Sequence, residues 1–159
     1  MLGRKAPDEG MSMVSRRGVL GGVAALAAVA LSGCGGERRK LAEAARAAAA
    51  EIDGVSGAEL ESEDGANFER ALRGTLTLET EDHAAGLAVF DEAMRAIVTV
   101  VHDELGEPEA ESLRVGWITA VLANGGEITA MELEPNMQAA TPRLDRITAG
   151  SFYAKYGLG

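Results

Sequence analysis

The groups able to do chemistry in this chain are one thiol, two imidazoles and a surplus of carboxylates: Cys34, His83, His102, and 25 Asp and Glu against 15 Lys and Arg. A lone cysteine makes no intramolecular disulfide, so a packed core must hold the fold. The two histidines lie 19 positions apart in one segment of helical periodicity. At 1.5 Å per residue that is about 28 Å, too far to share a site within one chain. His83, in the run Glu79-Thr80-Glu81-Asp82-His83, could hold a surface metal ion with Glu81 or Asp82, but no four-ligand spacing accompanies it, so it reads as a solvated helix start. The acidic stretch 61–69 has the density of a calcium loop, yet its oxygen-bearing positions fail after Gly65, and a hairpin turn with solvated charges fits it better. Ala123 to Glu127 is glycine-rich, but no helix follows to cradle a phosphate. The serines of the body (Ser56, Ser62, Ser112 and Ser151) stand in no nucleophile-elbow pattern. No catalytic residue, metal site or cofactor is expected.

Charge narrows the partners. Residues 1–33 hold four basic and two acidic residues, so the remaining chain carries 11 basic against 23 acidic, a charge of −12. Such a body repels nucleic acid, which is therefore not an expected partner. The length of 159 residues suits one domain, and 47% apolar residues is ordinary for a globular core.

The thiol takes its meaning from what precedes it. Arg16 and Arg17 are followed by residues 18–36 without a charge, and the run from Val23 to Leu31 is mostly Ala, Val and Leu. Leu31, Ser32 and Gly33 then lead into Cys34. A basic start, an apolar middle and a small-residue end form the pattern of an export signal, with the basic end on the cytoplasmic side. An uncleaved span is the competing reading, since 19 uncharged residues approach the roughly 20 that a membrane helix needs. The glycines and serine at both ends of the run are poor lipid partners. Met1, Met11 and Met13 are all candidate starts, and residues 1–10 read as an extra leader.

Leu31-Ser32-Gly33-Cys34 closely resembles the lipobox of bacterial lipoproteins. The resemblance implies that the Cys34 thiol receives a diacylglyceryl group, that the signal over 1–33 is cut off, and that Cys34 becomes the first residue of the mature chain, its new amino group open to acylation. Ser15-Arg16-Arg17-Gly18-Val19-Leu20 also resembles the twin-arginine signal, although Gly21 stands where a lysine is common, and the general secretory route stays open beside it. The whole chain is similar to small alanine-rich lipoproteins of unknown function from high-GC Gram-positive bacteria. What this implies is a protein held by lipid through Cys34 on the extracytoplasmic side of the cell membrane. Two chains would hold it stably, since one acyl chain anchors only marginally.

The elements that must position these groups follow from periodicity. After a short tether over 34–36, a single α+β domain is expected over 37–159. Leu41, Ala45, Ala48 and Ile52 share a face of a helix over 37–52, stopped by Asp53-Gly54. Arg38, Arg39 and Lys40 at its start form a local positive patch beside the anchor, or simply a face in water. Strands are expected over 55–62 and 69–80; in the second, Leu72, Gly74, Leu76 and Leu78 face one way and Arg73, Thr75, Thr77 and Glu79 the other. A helix over 82–105 carries the stripe Leu87, Phe90, Met94, Ile97, Val101 and Leu105, with Thr80 or Asp82 as its cap. Residues 112–135 read as a second hairpin around Asn124-Gly125-Gly126, its first strand carrying Leu113, Val115, Trp117, Thr119 and Val121 on one face and buried on both sides. A helical turn or two is expected over 142–147. Phe152, Tyr153 and Tyr156 are expected to cover the open face of the sheet.

The order is αββαββ. It predicts a four-stranded antiparallel sheet with two helices on one face, a layout like ferredoxin-type α+β sandwiches, preceded by a signal helix. Layout alone does not define function. The functional expectation is a non-enzymatic binding or interaction module of the cell envelope, with a protein partner there. The alternative is a lipoprotein that binds a small ligand or cation in an acidic pocket.

Overall fold

The computed structural model describes residues 34–65, 68–134 and 143–159. The first helix, α1 (Cys34–Ala50), is three residues longer at its start than expected and takes in Gly35 and Gly36. Its Ala-rich sequence has high helix propensity. Leu41, Ala42, Ala45 and Ala49 are buried, and these short side chains bring the helix close to its neighbours. Gly54, at φ +93°, turns the chain into the sheet. Strands β1 (Val55–Asp64) and β2 (Arg70–Leu78) form an antiparallel hairpin in the register Val55↔Leu78 to Asp64↔Arg70. The Gly65 amide donates to the Glu69 carbonyl across its tip at 2.6 Å.

Helix α2 (His83–Glu104) is capped as expected: Asp82 accepts from the Ala85 amide at 2.7 Å. Phe90, Met94, Ile97 and Val101 of its stripe are fully buried, while Leu87 and Leu105 are partly buried at its rims. Helix α1 packs on β1 and on α2, and α2 packs on β2. Together they dehydrate the face that carries Leu72, Leu76 and Leu78.

The sheet is mixed, not antiparallel. Its order is β1-β2-β3-β4, with β3 (Ile118–Val121) parallel to β2 in the register Gly74↔Ile118 to Thr77↔Val121, and β4 (Glu127–Thr129) antiparallel to β3. The reason is the length of the connection. A helix of 22 residues runs about 33 Å, and a strand of nine runs about 30 Å. α2 therefore carries the chain back to the level where β2 began, and a strand leaving from there runs parallel to β2. This also separates the sheet from the antiparallel layout of ferredoxin-type sandwiches. The expected signal helix and the expected signal residues Arg16, Arg17, Leu31, Ser32 and Gly33 lie outside the described residues.

The second hairpin is shorter than its pattern suggests. Residues 109–112 form a helical turn, α3 (Glu109–Ser112), rather than leading into a strand. The turn at Asn124-Gly125-Gly126 forms as expected, with Gly125 at φ +86° and Asn124 Oδ1 accepting from the Gly126 amide at 2.9 Å. β4 ends after three residues because Thr129 and Glu132 form a capping box that starts helix α4 (Ala130–Leu133). The expected turn near 142–147 is a 3-10 turn over Leu144–Arg146.

The aromatic tail packs on α2 instead of the open sheet face. A 3-10 turn over Ala149–Phe152 and helix α5 (Tyr153–Tyr156) bury Phe152 and Tyr153. The Tyr153 ring meets His102 edge-on at 5.5 Å, and Phe152 stacks on Tyr156 at 5.6 Å. Tyr156 donates its hydroxyl to Asp91 Oδ1 at 2.8 Å, and Lys155 Nζ lies 2.7 Å from the same oxygen. Besides apolar contact, α2 offers Asp91 as a partner for the polar ends of Tyr156 and Lys155.

Burial, and then the hydrogen bond and charge of Asp91, push the Tyr156 phenol well above its ordinary value. The Tyr153 phenol is raised as well, first by burial and then by Glu107 and Glu111. An unfolded tyrosine ionises near pH 10, whereas these keep their protons beyond it. The folded chain then binds more protons, so the stability they contribute is complete below about pH 10 and falls as pH rises further. Urea unfolding at pH 9 and pH 11 should show this loss, and Tyr156→Phe should make it smaller. An unchanged loss in the variant would remove Tyr156 from the account.

Candidate binding face

Both helices and the tail gather on one side, so among the described residues the other face of the sheet stays bare. It carries Arg73, Thr75 and Thr77 of β2, as alternation predicts, together with Glu61 and Glu63 of β1 and Thr119 and Val121 of β3. Trp117 stands at the start of β3, 51% exposed, although it is the largest side chain of the body.

A backbone turn places it there. Leu113 and Val115 are buried, and a strand continuing straight on would have put Trp117 in the core beside them. Instead the amides of Val115 and Gly116 both donate to the Ile147 carbonyl, at 3.0 and 3.2 Å, and the chain turns at Gly116-Trp117. Ile118 and Ala120 then take the core positions. Only glycine fits at 116, since a Cβ there would sit 1.9 Å from the Leu144 carbonyl oxygen. The expected strand buried on both sides is therefore a short strand buried on one.

Around Trp117 lies a shallow depression of about 510 Å³, lined among others by Glu61, Glu69, Arg73, Thr75 and Arg114. Its charges are paired. Arg73 meets Glu61 at 3.1 Å and Glu63 at 2.8 Å, and Arg114 meets Glu69. Asp64, the remaining acid of the 61–69 stretch, pairs with Arg38 of α1. The carboxylates that suggested a cation or an acidic pocket are thus spread over three arginines. The result is a flat face with an exposed indole, two guanidiniums and hydroxyls.

The histidines stand near opposite ends of α2. His83 Nε2 lies 3.0 Å from Glu132 Oε2 on α4, and His102 Nδ1 lies 3.0 Å from Asp103 Oδ1. Among the described residues no group of three or more His, Cys, Asp or Glu is arranged to hold a metal ion. Cys34 opens α1, so the residue expected to carry lipid is continuous with a helix of the body. Among the described residues no helix is long and apolar enough to cross a membrane. At the tip of the β1–β2 hairpin, Phe68 is fully exposed at φ +61°.

No protein family, curated protein or solved structure matches this chain.

Trp117 was legible as an aromatic but not as an exposed one; the glycine before it is the signal. Gly116→Ala should cost about 2–4 kcal/mol, because the added methyl collides with backbone that has no room to yield. It should also change the Trp117 fluorescence spectrum of the folded state. A variant with unaltered unfolding midpoint and spectrum would show that the turn does not need glycine.

Proposed function

We propose that this chain is a membrane-anchored extracytoplasmic lipoprotein whose body is a non-enzymatic binding module of the cell envelope. Cys34 carries the lipid, following the lipobox Leu31-Ser32-Gly33-Cys34, and the bare sheet face around Trp117 meets an envelope protein. The observation that carries the binding role is the half-exposed indole on an uncovered sheet, flanked by Arg73 and Arg114. Tryptophan and arginine supply much of the affinity at protein interfaces, and a rim of paired charges excludes water without a large desolvation cost. An anchor adds to this by raising the local concentration of the module near partners held in the same membrane.

Two measurements test the two halves separately. The mass of the N-terminal peptide from cell membranes should correspond to a lipid-modified Cys34, and Cys34→Ser should release the protein from the membrane fraction. A serine variant that stays there at unchanged size would end the anchor reading. For the binding face, a photo-crosslinking residue at Thr119 should capture a discrete partner band in intact cells. Trp117→Ala should abolish that band while changing stability by no more than about 0.5 kcal/mol, as expected of an exposed side chain. A band that survives the substitution would place the interface elsewhere.

A further inference from the structure

A second depression borders β1 and shares Glu61, Gly74 and Thr75 with the Trp117 depression. It is a groove of about 800 Å³ between α1 and the β1–β2 hairpin, walled by Arg38, Arg39 and Arg46 on one side and by Leu60, Ser62 and Gly74 on the other. Gly35, Arg39, Ala42 and Arg46 follow one another at spacings of four, three and four, so they share one flank of α1. In an acid-rich chain most arginines find carboxylates, and Arg38 is taken by Asp64. Arg39 and Arg46 have no carboxylate at ion-pair distance among the described residues; the Arg46 Nε only reaches back to its own helix, at the Ala42 carbonyl, 3.4 Å away. Glu59 and Glu61 reach the rim, and Glu61 is committed to Arg73.

A second observation points the same way. Ser62, which lines the groove, has a buried Oγ without a hydrogen-bond partner. A buried hydroxyl without a partner is costly, and native proteins usually satisfy it. Gly74 keeps the opposite end of the wall free of a side chain: at φ +147°, a Cβ there would lie 1.9 Å from the Glu59 carbonyl oxygen. Two guanidinium forks on one groove, with an unpartnered hydroxyl just beneath its wall, form a donor set suited to phosphate oxygens, which arginine holds through paired N–H groups.

From this geometry we infer that the α1–β1 groove binds a phosphodiester, the headgroup of an anionic phospholipid in the membrane that holds the anchor. The lipid source rests on the reading of Cys34 as the lipid-carrying residue. Gly35, at the mouth of the groove, directly follows Cys34, and α1 starts at Cys34 without an intervening tether. With α1 lying along the bilayer surface, Arg39 and Arg46, about 10 Å apart along the helix axis, both stand at the depth of the headgroups. The groove orients the body on the bilayer, with β1 toward the lipid side of α1.

The test uses the full chain in a neutral detergent, titrated by calorimetry with dihexanoylphosphatidylglycerol, and in parallel with dihexanoylphosphatidylcholine and inorganic phosphate. The expected result is saturable binding of the phosphatidylglycerol at one site, with phosphatidylcholine and free phosphate binding much more weakly. Arg39→Gln with Arg46→Gln should weaken it about tenfold or more. Lys40→Gln, which removes one positive charge from an exposed position of the same helix outside the groove, should leave it unchanged. Circular dichroism confirms that the variants fold. The proposal is overturned if no saturable binding occurs, if Lys40→Gln weakens binding as much as the arginine changes, or if phosphatidylcholine binds equally well. Equal binding of inorganic phosphate, with the same arginine dependence, would overturn the lipid assignment and leave a site for free phosphate. Because the lipid is added in solution, this outcome is independent of the Cys34 mass, which reports on the anchor alone.

Discussion

The apolar stripe of α2 can be dehydrated only by a surface about as long as the helix itself, and β2 provides it. Phe90, Met94, Ile97 and Val101 lie in one core with Leu72, Leu76 and Leu78, all of them buried. That contact orders the rest of the molecule. It returns the chain to the start of β2 and makes β3 parallel to it. It leaves α1 the ground above β1, where alanines allow a close fit. It also leaves a second flank of α2 for the C-terminal tail. What remains uncovered is a consequence: with the described amphipathic elements on one side, no described element shields the far side of the sheet, and its side chains are polar apart from Trp117 and Val121.

The parts that were legible in the sequence are those whose signal is local and repeated. The stripe of α2, its Asp82 cap, the alternation of β2 and the glycine turn at 124–126 each recur over several residues and agree with the structure to within a residue or two. The outward direction of Arg73, Thr75 and Thr77 belongs with them. Strand direction was not legible, because hairpin patterns describe the strands within each pair and say nothing about how two pairs join. Trp117 was misplaced for a different reason. A period-two pattern holds only while the backbone stays extended, and the Gly116 turn shifts it by one residue, which reverses every side chain after it. The tail was misplaced because apolar content alone does not choose between two surfaces, whereas the polar tips of Tyr156 and Lys155 do. The arginine groove had no sequence signal beyond the positive cluster, since the partners that decide which arginines are neutralised come from β1 and β2, far along the chain.

Close backbone approaches recur where the two functional surfaces meet the fold. Gly74 lets β2 press against β1 at the base of the groove, and Gly116 lets the β3 entry press against the 144–147 segment. Both positions spend side-chain volume to obtain a local geometry: in one case an unobstructed wall, in the other a tryptophan turned outward. They connect packing to surface chemistry more directly than any of the titratable groups do.

β1 is an edge strand of the sheet, ten residues long, and among the described residues no strand pairs with its outer side. Edges of this length invite two molecules to zip together, above all when crowding on a surface holds them side by side. Glu59, Glu61, Glu63 and Asp64 crowd its second half. A twin aligned along this edge in the parallel sense would bring acidic side chains side by side, a charged border of the kind that discourages strands from zipping together.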